Sequence, residues 1–174
     1  ISPGVPVLYP SPHPVVSNAR ACGVRIETDI GLFFNILESY SNDKDKPPSK
    51  VIGVTGSNGK STTTALIHHL LKPHFPDCDI GGNIGKPVLE MLSYKLASVK
   101  VVELSSYQIE TSSKLNLHAA VFLNLSNDHL KRHGGVGGYF ASKSKLFYSG
   151  KPKFSIIGVD EKEGQFLAHH LGTN

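Results

Sequence analysis

One segment constrains the fold more than any other. Val51-Ile-Gly-Val-Thr-Gly-Ser-Asn-Gly-Lys-Ser61 passes from a short apolar run, through glycines at 53, 56 and 59, into a stretch of helical period. A strand that turns through glycines into a helix brings backbone N–H groups together at a helix N-terminus, where the peptide dipoles favour negative charge. Glycine lets that backbone approach an anion with no Cβ in the way. Gly56, Ser57, Asn58, Gly59, Lys60, Ser61 and Thr62 are therefore candidate contacts to the phosphates of a nucleotide. Lys60 reaches toward the β- and γ-phosphates, and the Ser61 hydroxyl is a ligand for Mg²⁺. The strict phosphate-loop pattern has glycine where this chain has Val54, so the loop is a variant. The alternative is a glycine-rich turn that binds nothing. The strand before it, the helix after it and the intact Gly-Lys-Ser argue against that.

The rest of the chain has to be compatible with this unit. After it, helices are expected over Pro87–Leu96 and Tyr139–Tyr148, and strands over Val99–Leu104, His118–Leu125 and Lys153–Val159. With the strand Lys50–Thr55 and the helix Lys60–Lys72, this alternation predicts an α/β fold, a mononucleotide-binding parallel sheet with flanking helices. Ile1–Val16 holds five prolines and reads as loop. A short helix over Asn18–Ala21, a short strand over Cys22–Glu27 and a helix over Ile30–Tyr40 with Asp29 as N-cap are expected next. Ser41–Lys50 is polar, charged and contains Pro47-Pro48, so it reads as a linker. Two units follow, 1–45 and 46–174.

Composition excludes several classes. The chain has 39% hydrophobic and 18% charged residues, ordinary for a globular protein. A net charge of +4 without a basic run gives no nucleic-acid patch. No stretch of about 18 apolar residues offers a membrane span. Two cysteines, Cys22 and Cys78, fit a reducing compartment better than a disulfide framework. The chain opens on Ile1-Ser-Pro-Gly, so a fragment is expected.

Thr55-Gly-Ser-Asn-Gly-Lys-Ser-Thr62 resembles the phosphate loop of the Mur ligases, which build the peptide of bacterial cell-wall precursors. Gly81-Gly-Asn-Ile-Gly85 with Pro87, Glu103-Leu-Ser-Ser-Tyr-Gln-Ile-Glu110, and Asn124-Leu-Ser-Asn-Asp-His-Leu-Lys-Arg-His133 followed by Tyr139–Lys143 are similar to further motifs of that family. They occur in its order and at close to its spacing, and they point to its D-glutamate-adding branch. Ser2-Pro-Gly4 and Asp29–Phe33 resemble the tail of the family's Rossmann-like, UDP-binding N-terminal domain. Lys50 onward resembles the first part of its central ATPase domain.

The resemblance implies a cytoplasmic, monomeric, ATP-dependent amide ligase acting through an acyl phosphate on UDP-N-acetylmuramoyl-L-alanine and D-glutamate. It implies ATP and two Mg²⁺ ions as cofactors. Lys60, His129 and Lys143 would be catalytic. Ser61, Glu103, His129 and Lys143, the last as a carbamate, would hold metal. Ser2, Gly4, Asn83, Ser105, Gln108 and His129 would contact substrate. Asp128 either orients His129, binds metal through water, or caps the local backbone. Lys145 competes with Lys143, but two residues on it points about 200° around the helix. His68, His69, His118, His169 and His170 read as ordinary surface or core histidines. Lys131 and Gly31 stand where many members carry aspartate and glutamate. A nucleotide-binding module without ligase activity is the alternative, as is another Mur or folylpolyglutamate synthase-like ligase.

Overall fold

The computed structural model describes residues 1–41, 48–92 and 98–172. Five strands form one sheet: β1 (Lys50–Thr55), β2 (Cys78–Gly82), β3 (Val99–Glu103), β4 (Ala119–Phe122) and β5 (Phe154–Ile157). Their order is β2-β3-β1-β4-β5, and every pairing is parallel. The helices are α1 (Pro14–Ala21), α2 (Asp29–Ser41), α3 (Lys60–Leu71), α4 (Ser106–Thr111), α5 (Leu130–His133), α6 (Val136–Tyr148) and α7 (Lys162–Gly172), with a 3-10 turn at Val88–Met91. The expected α/β class with a parallel sheet and flanking helices is what forms.

Sequence patterning explains the layers. Val54, Val99, Val101 and Val121 send their side chains to one face, where Ile67 and Leu71 of α3 cover them. Val51, Val102, Ala120 and Phe122 face the other way, into a larger core with Phe33, Phe34, Ile109, Tyr139, Leu146 and Leu167. That core draws on α2, α4, α6 and α7, so α2 packs with the sheet rather than apart from it. Fully burying each such aliphatic contributes roughly 1.5–3 kcal/mol. Lys100 interrupts β3's apolar run. It is 2% exposed and lies 3.6 Å from Asp79, and burial pushes its amine below the ordinary lysine value.

Several local expectations change. Cys22–Glu27 is irregular, not a strand, with Val24 facing solvent. Among the described residues the segment pairs with no strand of the sheet. The helix expected over Pro87–Leu96 is a single 3-10 turn as far as Leu92, and 93–97 lie outside the described residues. Most of the Ser41–Lys50 linker and the 45/46 boundary also lie outside them. Helix α1 starts at Pro14, inside the stretch read as loop, and Asp29 is the first residue of α2. Strand β2 and helices α4, α5 and α7 were not anticipated. Among the described residues, no helix is long and apolar enough to cross a membrane.

The topology places the site. The chain leaves β1 through α3 on one face of the sheet and leaves β3 through α4 on the other. A crevice therefore opens at the carboxyl ends of β1 and β3, the switch point where open α/β sheets bind ligands.

Candidate active site

The phosphate loop occupies that switch point. Gly59 caps α3 with φ 78°, a left-handed conformation that glycine adopts without steric cost. The loop is tied to the end of β4. The Oδ1 of Asn124 accepts the amides of Ser57 (3.1 Å) and Asn58 (2.9 Å), and its Nδ2 donates to the Asn58 carbonyl at 3.2 Å. The Ser57 hydroxyl accepts the Ser126 amide at 2.9 Å and lies 3.2 Å from the Tyr139 hydroxyl. With those two amides engaged, the donors aimed at an anion are the first N–H groups of α3, which no helix can pair internally.

Both lysines of the site bind the loop from within. Lys60 Nζ donates to the Ser57 carbonyl at 2.8 Å. Lys143, 1% exposed on α6, donates to the Gly56 carbonyl at 2.7 Å and sits 4.6 Å from the centre of the Tyr139 ring. Burial, and secondarily the Lys60 charge, lowers the Lys143 amine from 10.5 to about 7. A large share of it is then neutral and nucleophilic near pH 7. Lys145 points elsewhere, to the carbonyls of Glu110 and Ser112 at 3.0 and 2.7 Å.

Glu103 ends β3 beside the loop and is 1% exposed. Its Oε2 accepts the Ser61 hydroxyl at 2.8 Å and its Oε1 the Asn83 side-chain amide at 2.9 Å. Gly82 makes this approach possible. At φ 105° it lies so close to the Glu103 carbonyl that a Cβ would collide with it, and Asn83 N donates to that carbonyl at 2.9 Å. A buried carboxylate held by neutral donors, one hydrogen bond from a serine hydroxyl, is a hard-oxygen pair that fits Mg²⁺. Lys143 does not fit a Mg²⁺ site as a lysine, because its ammonium form repels the ion and its neutral amine is not the hard oxygen ligand the ion takes. A carbamate on it would fit.

His129 stands at the mouth with φ 52°, its ring 5.1 Å from Tyr107 and 6.1 Å from Tyr139. Its Nε2 lies 3.3 Å from Oδ2 of Asp128, whose Oδ1 accepts the His129 amide at 2.8 Å. Asp128 thus both faces the ring and closes the local turn. Among the described residues, no three His, Cys, Asp or Glu side chains gather as a metal-binding group. Lys60, Asn83, Ser105, His129 and Lys143 line a cleft of about 150 Å³ that Ser106, Tyr107 and Tyr139 complete.

Other sequence-predicted residues fall differently. Ser105 and Gln108 form a capping box on α4, with the Gln108 amide donating to Ser105 Oγ at 3.3 Å and the Ser105 amide to Gln108 Oε1 at 3.0 Å. Gln108 is buried and outside the cleft lining. Thr62 lies in the first turn of α3 and is exposed. Ser2 and Gly4 lie on the exposed N-terminal segment, where the Ser2 carbonyl accepts the Val5 amide at 3.0 Å, and neither lines the cleft. Asn124 and Ser126 were missed as loop supports. Their sequence signals were their position just past β4 and their place in the Asn124–His133 motif, neither of which points to the loop. A larger cavity of about 740 Å³ lies at the opposite ends of the strands, beside Lys50, Val99 and His118. It holds none of these groups.

Comparisons with known proteins agree with this geometry. The Mur ligase middle domain matches residues 54–174. UDP-N-acetylmuramoylalanine–D-glutamate ligase of Cereibacter sphaeroides is 51% identical over 172 residues, covering 99% of this chain and 37% of that protein. The ligase of the same name from Ruegeria pomeroyi is 51% identical over 171 residues, 98% of this chain and 37% of its own length. Among solved structures, MurF from Acinetobacter baumannii superposes with a TM-score of 0.57 at 21% identity, covering 77% of this chain and 31% of that one. The chain therefore spans about 37% of the length of the curated relatives it matches. With its parallel sheet, its variant phosphate loop and the match across residues 54–174, the chain belongs to the Mur ligase family through that family's middle domain.

Proposed function

We propose that this chain carries the ATP-binding part of a ligase that joins D-glutamate to UDP-N-acetylmuramoyl-L-alanine in peptidoglycan precursor synthesis. The observation that carries the reading is one cleft lined by Lys60 of the phosphate loop and by a buried lysine of lowered pKa, Lys143, with the Ser61–Glu103 oxygen pair joined to it through Asn83, which lines the cleft and donates to Glu103. The 51% identity to ligases of that activity supports the choice of substrates. On this reading residues 1–45 end a UDP-binding domain, with Ser2 and Gly4 toward the UDP, and residues 46–174 begin the central domain. The enzyme works in the cytoplasm as a monomer.

The reaction brings a substrate carboxylate against the γ-phosphate of ATP. Its oxygen attacks phosphorus, the bond to ADP breaks, and an acyl phosphate forms. The amine of D-glutamate then attacks the acyl carbon, and the tetrahedral intermediate expels phosphate. Repulsion between two anions opposes the first step, so charge placement is the main requirement. Lys60 exchanges the Ser57 carbonyl for a phosphate oxygen. The α3 N-terminus presents its free amides to the same group. Asn83 holds the Glu103 carboxylate in place, and the Tyr107–His129–Tyr139 wall shields the cleft from water. Ser61, Glu103, His129 and a carbamylated Lys143 would hold two Mg²⁺ ions, whose chemistry when bound is charge neutralisation. Asn83, Ser105 and His129 face the muramoyl-alanine part. Gln108 acts on it by fixing Ser105.

Phosphate release from ATP tests the proposal, measured in the full-length protein and in this chain with both substrates. Release in the full-length protein that requires both is expected. Release indifferent to either would sink the ligase reading. Binding of ATP without release in any form would favour a nucleotide-binding module. Lys143→Ala should lower activity about a hundredfold, with partial rescue by short-chain carboxylic acids. An unimpaired variant would remove the carbamate.

A further inference from the structure

The cleft wall has a buried second layer that the proposed mechanism does not use. His133, at the end of α5, has a fully buried side chain. Its Nε2 lies 2.9 Å from the Ser106 hydroxyl, and Ser106 lines the cleft. Its Nδ1 lies 3.6 Å from Oε1 of Glu110 and makes no hydrogen bond of its own. The ring is stacked between Tyr107 and Tyr139, at 5.3 Å from each, and both tyrosines also line the cleft. Arg132 holds the far side of the Glu110 carboxylate at 3.1 Å.

These contacts favour one direction for each proton. A carboxylate only accepts, so the nearby charge of Glu110, 3.6 Å away, draws the ring proton to Nδ1, the nitrogen that faces it without a hydrogen bond. Burial keeps the ring neutral by pushing His133 below the ordinary histidine value. Nε2 is then an acceptor, and the Ser106 hydroxyl donates to it. Its proton spent, Ser106 has only lone pairs left for the cleft. The neighbouring polar groups are otherwise engaged. Ser105 is held by Gln108, the Asn83 amide is on Glu103, and Lys60 and Lys143 are donors.

We propose that His133, held by Glu110, is a positioning residue that fixes the Ser106 hydroxyl as a hydrogen-bond acceptor for a neutral N–H of the bound substrate. Resting on the proposed function, that N–H is the amide of the L-alanyl group in the sugar-nucleotide substrate. Ser106 touches substrate, while His133 and Glu110 act through it.

The test uses the full-length protein with ¹⁵N-labelled histidine, the His133 signals being assigned from their loss in His133→Phe. Long-range ¹H–¹⁵N spectra should show a neutral ring protonated at Nδ1, with the Nε2 signal shifting in Ser106→Ala. His133→Phe keeps the stack between the tyrosines but removes both nitrogens. It and Ser106→Ala should each raise KM for UDP-N-acetylmuramoyl-L-alanine about tenfold, as expected for one lost hydrogen bond, with kcat and KM for ATP within about twofold. The double variant should be no worse than either single one, because both break one contact. His133→Gln, which can still accept from Ser106, should recover most of the loss. A ring protonated at Nε2, an unchanged KM in a folded His133→Phe, or a Gln variant as poor as Phe would each overturn the proposal. A wild-type protein that releases no phosphate with these substrates would fell the ligase reading instead. The ring-proton measurement would then still decide whether His133 orients Ser106.

Discussion

Lys143 shows how much one residue's surroundings decide. In sequence it is one of two lysines in Lys143-Ser-Lys145, and only the family resemblance separates it from its neighbour. In the fold Lys145 ends on helix-terminal carbonyls, while Lys143 is sealed beneath the phosphate loop. No sequence pattern encodes that desolvation, since it depends on Tyr139, Gly56 and the Lys60 charge coming together. Its consequence for stability has a definite sign. Lys143 titrates at about 7 when folded and near 10.5 when unfolded. Below pH 7 both states bind the proton, and the folded protein bears the full cost of a buried charge. Between pH 7 and 10.5 the unfolded chain binds more protons, so stability rises with pH. We predict that Lys143→Met is more stable than wild type at pH 6, by on the order of a few kcal/mol. The gap should narrow toward pH 10 in carbon dioxide-free buffer with chelator. Thermal unfolding at several pH values measures it, and a gap independent of pH would contradict the assignment. Gly31 is a second case. Its departure from the family pattern was visible but unexplained. In the fold a Cβ there would collide with the Glu27 carboxylate, which fills that space and accepts the Thr28 amide at 3.0 Å.

At the scale of elements, β1, α3 and the loop between them were legible because their signals agree. An apolar run, three glycines and a helical period all describe one unit. Strand β2 was not legible. Cys78-Asp-Ile-Gly-Gly82 is short and mostly glycine or polar, and it is a strand because β3 offers it an edge. Cys22–Glu27 looked more strand-like and forms none, pairing with no strand among the described residues. Helix α4 was readable as a motif but not as a helix. Its six residues depend on the Ser105–Gln108 capping box, so Gln108, expected at the substrate, also serves the backbone. The loop's attachment to β4 was equally hidden. Asn124→Ala would leave the Asn58 amide without its acceptor and the Ser57 amide with the backbone carbonyl of residue 124 alone, at 3.0 Å. We expect KM for ATP to rise about tenfold, with KM for the sugar nucleotide little changed. Equal increases in both would mean general disruption rather than a loosened loop.

For the whole molecule, the two sides of the sheet are unequally covered. The larger core lies on the α6 side, while α3 is the main cover on the other. Strand β5 is an edge, and Phe154 and Ile156 on it are each 51% exposed. Leu66 and Leu70 on α3 also face solvent. An apolar edge strand with unpaired backbone groups is a template for association. We predict that the isolated chain self-associates with increasing concentration and that Ile156→Lys reduces this without altering ATP binding. Light scattering against concentration would show it, and a monodisperse wild-type chain at high concentration would refute it.

The carbonyls that Lys60 and Lys143 grip, those of Ser57 and Gly56, have a bearing on selectivity. Lys60, and Lys143 in its protonated form, each already have a good neutral acceptor. A newcomer draws them off only by offering a better one. Phosphate oxygens, which bear formal charge, meet that standard. Water, sugars and other uncharged polar molecules offer no more than a peptide carbonyl already does. On the proposed reading the loop therefore sorts by charge, favouring polyanions over neutral solutes.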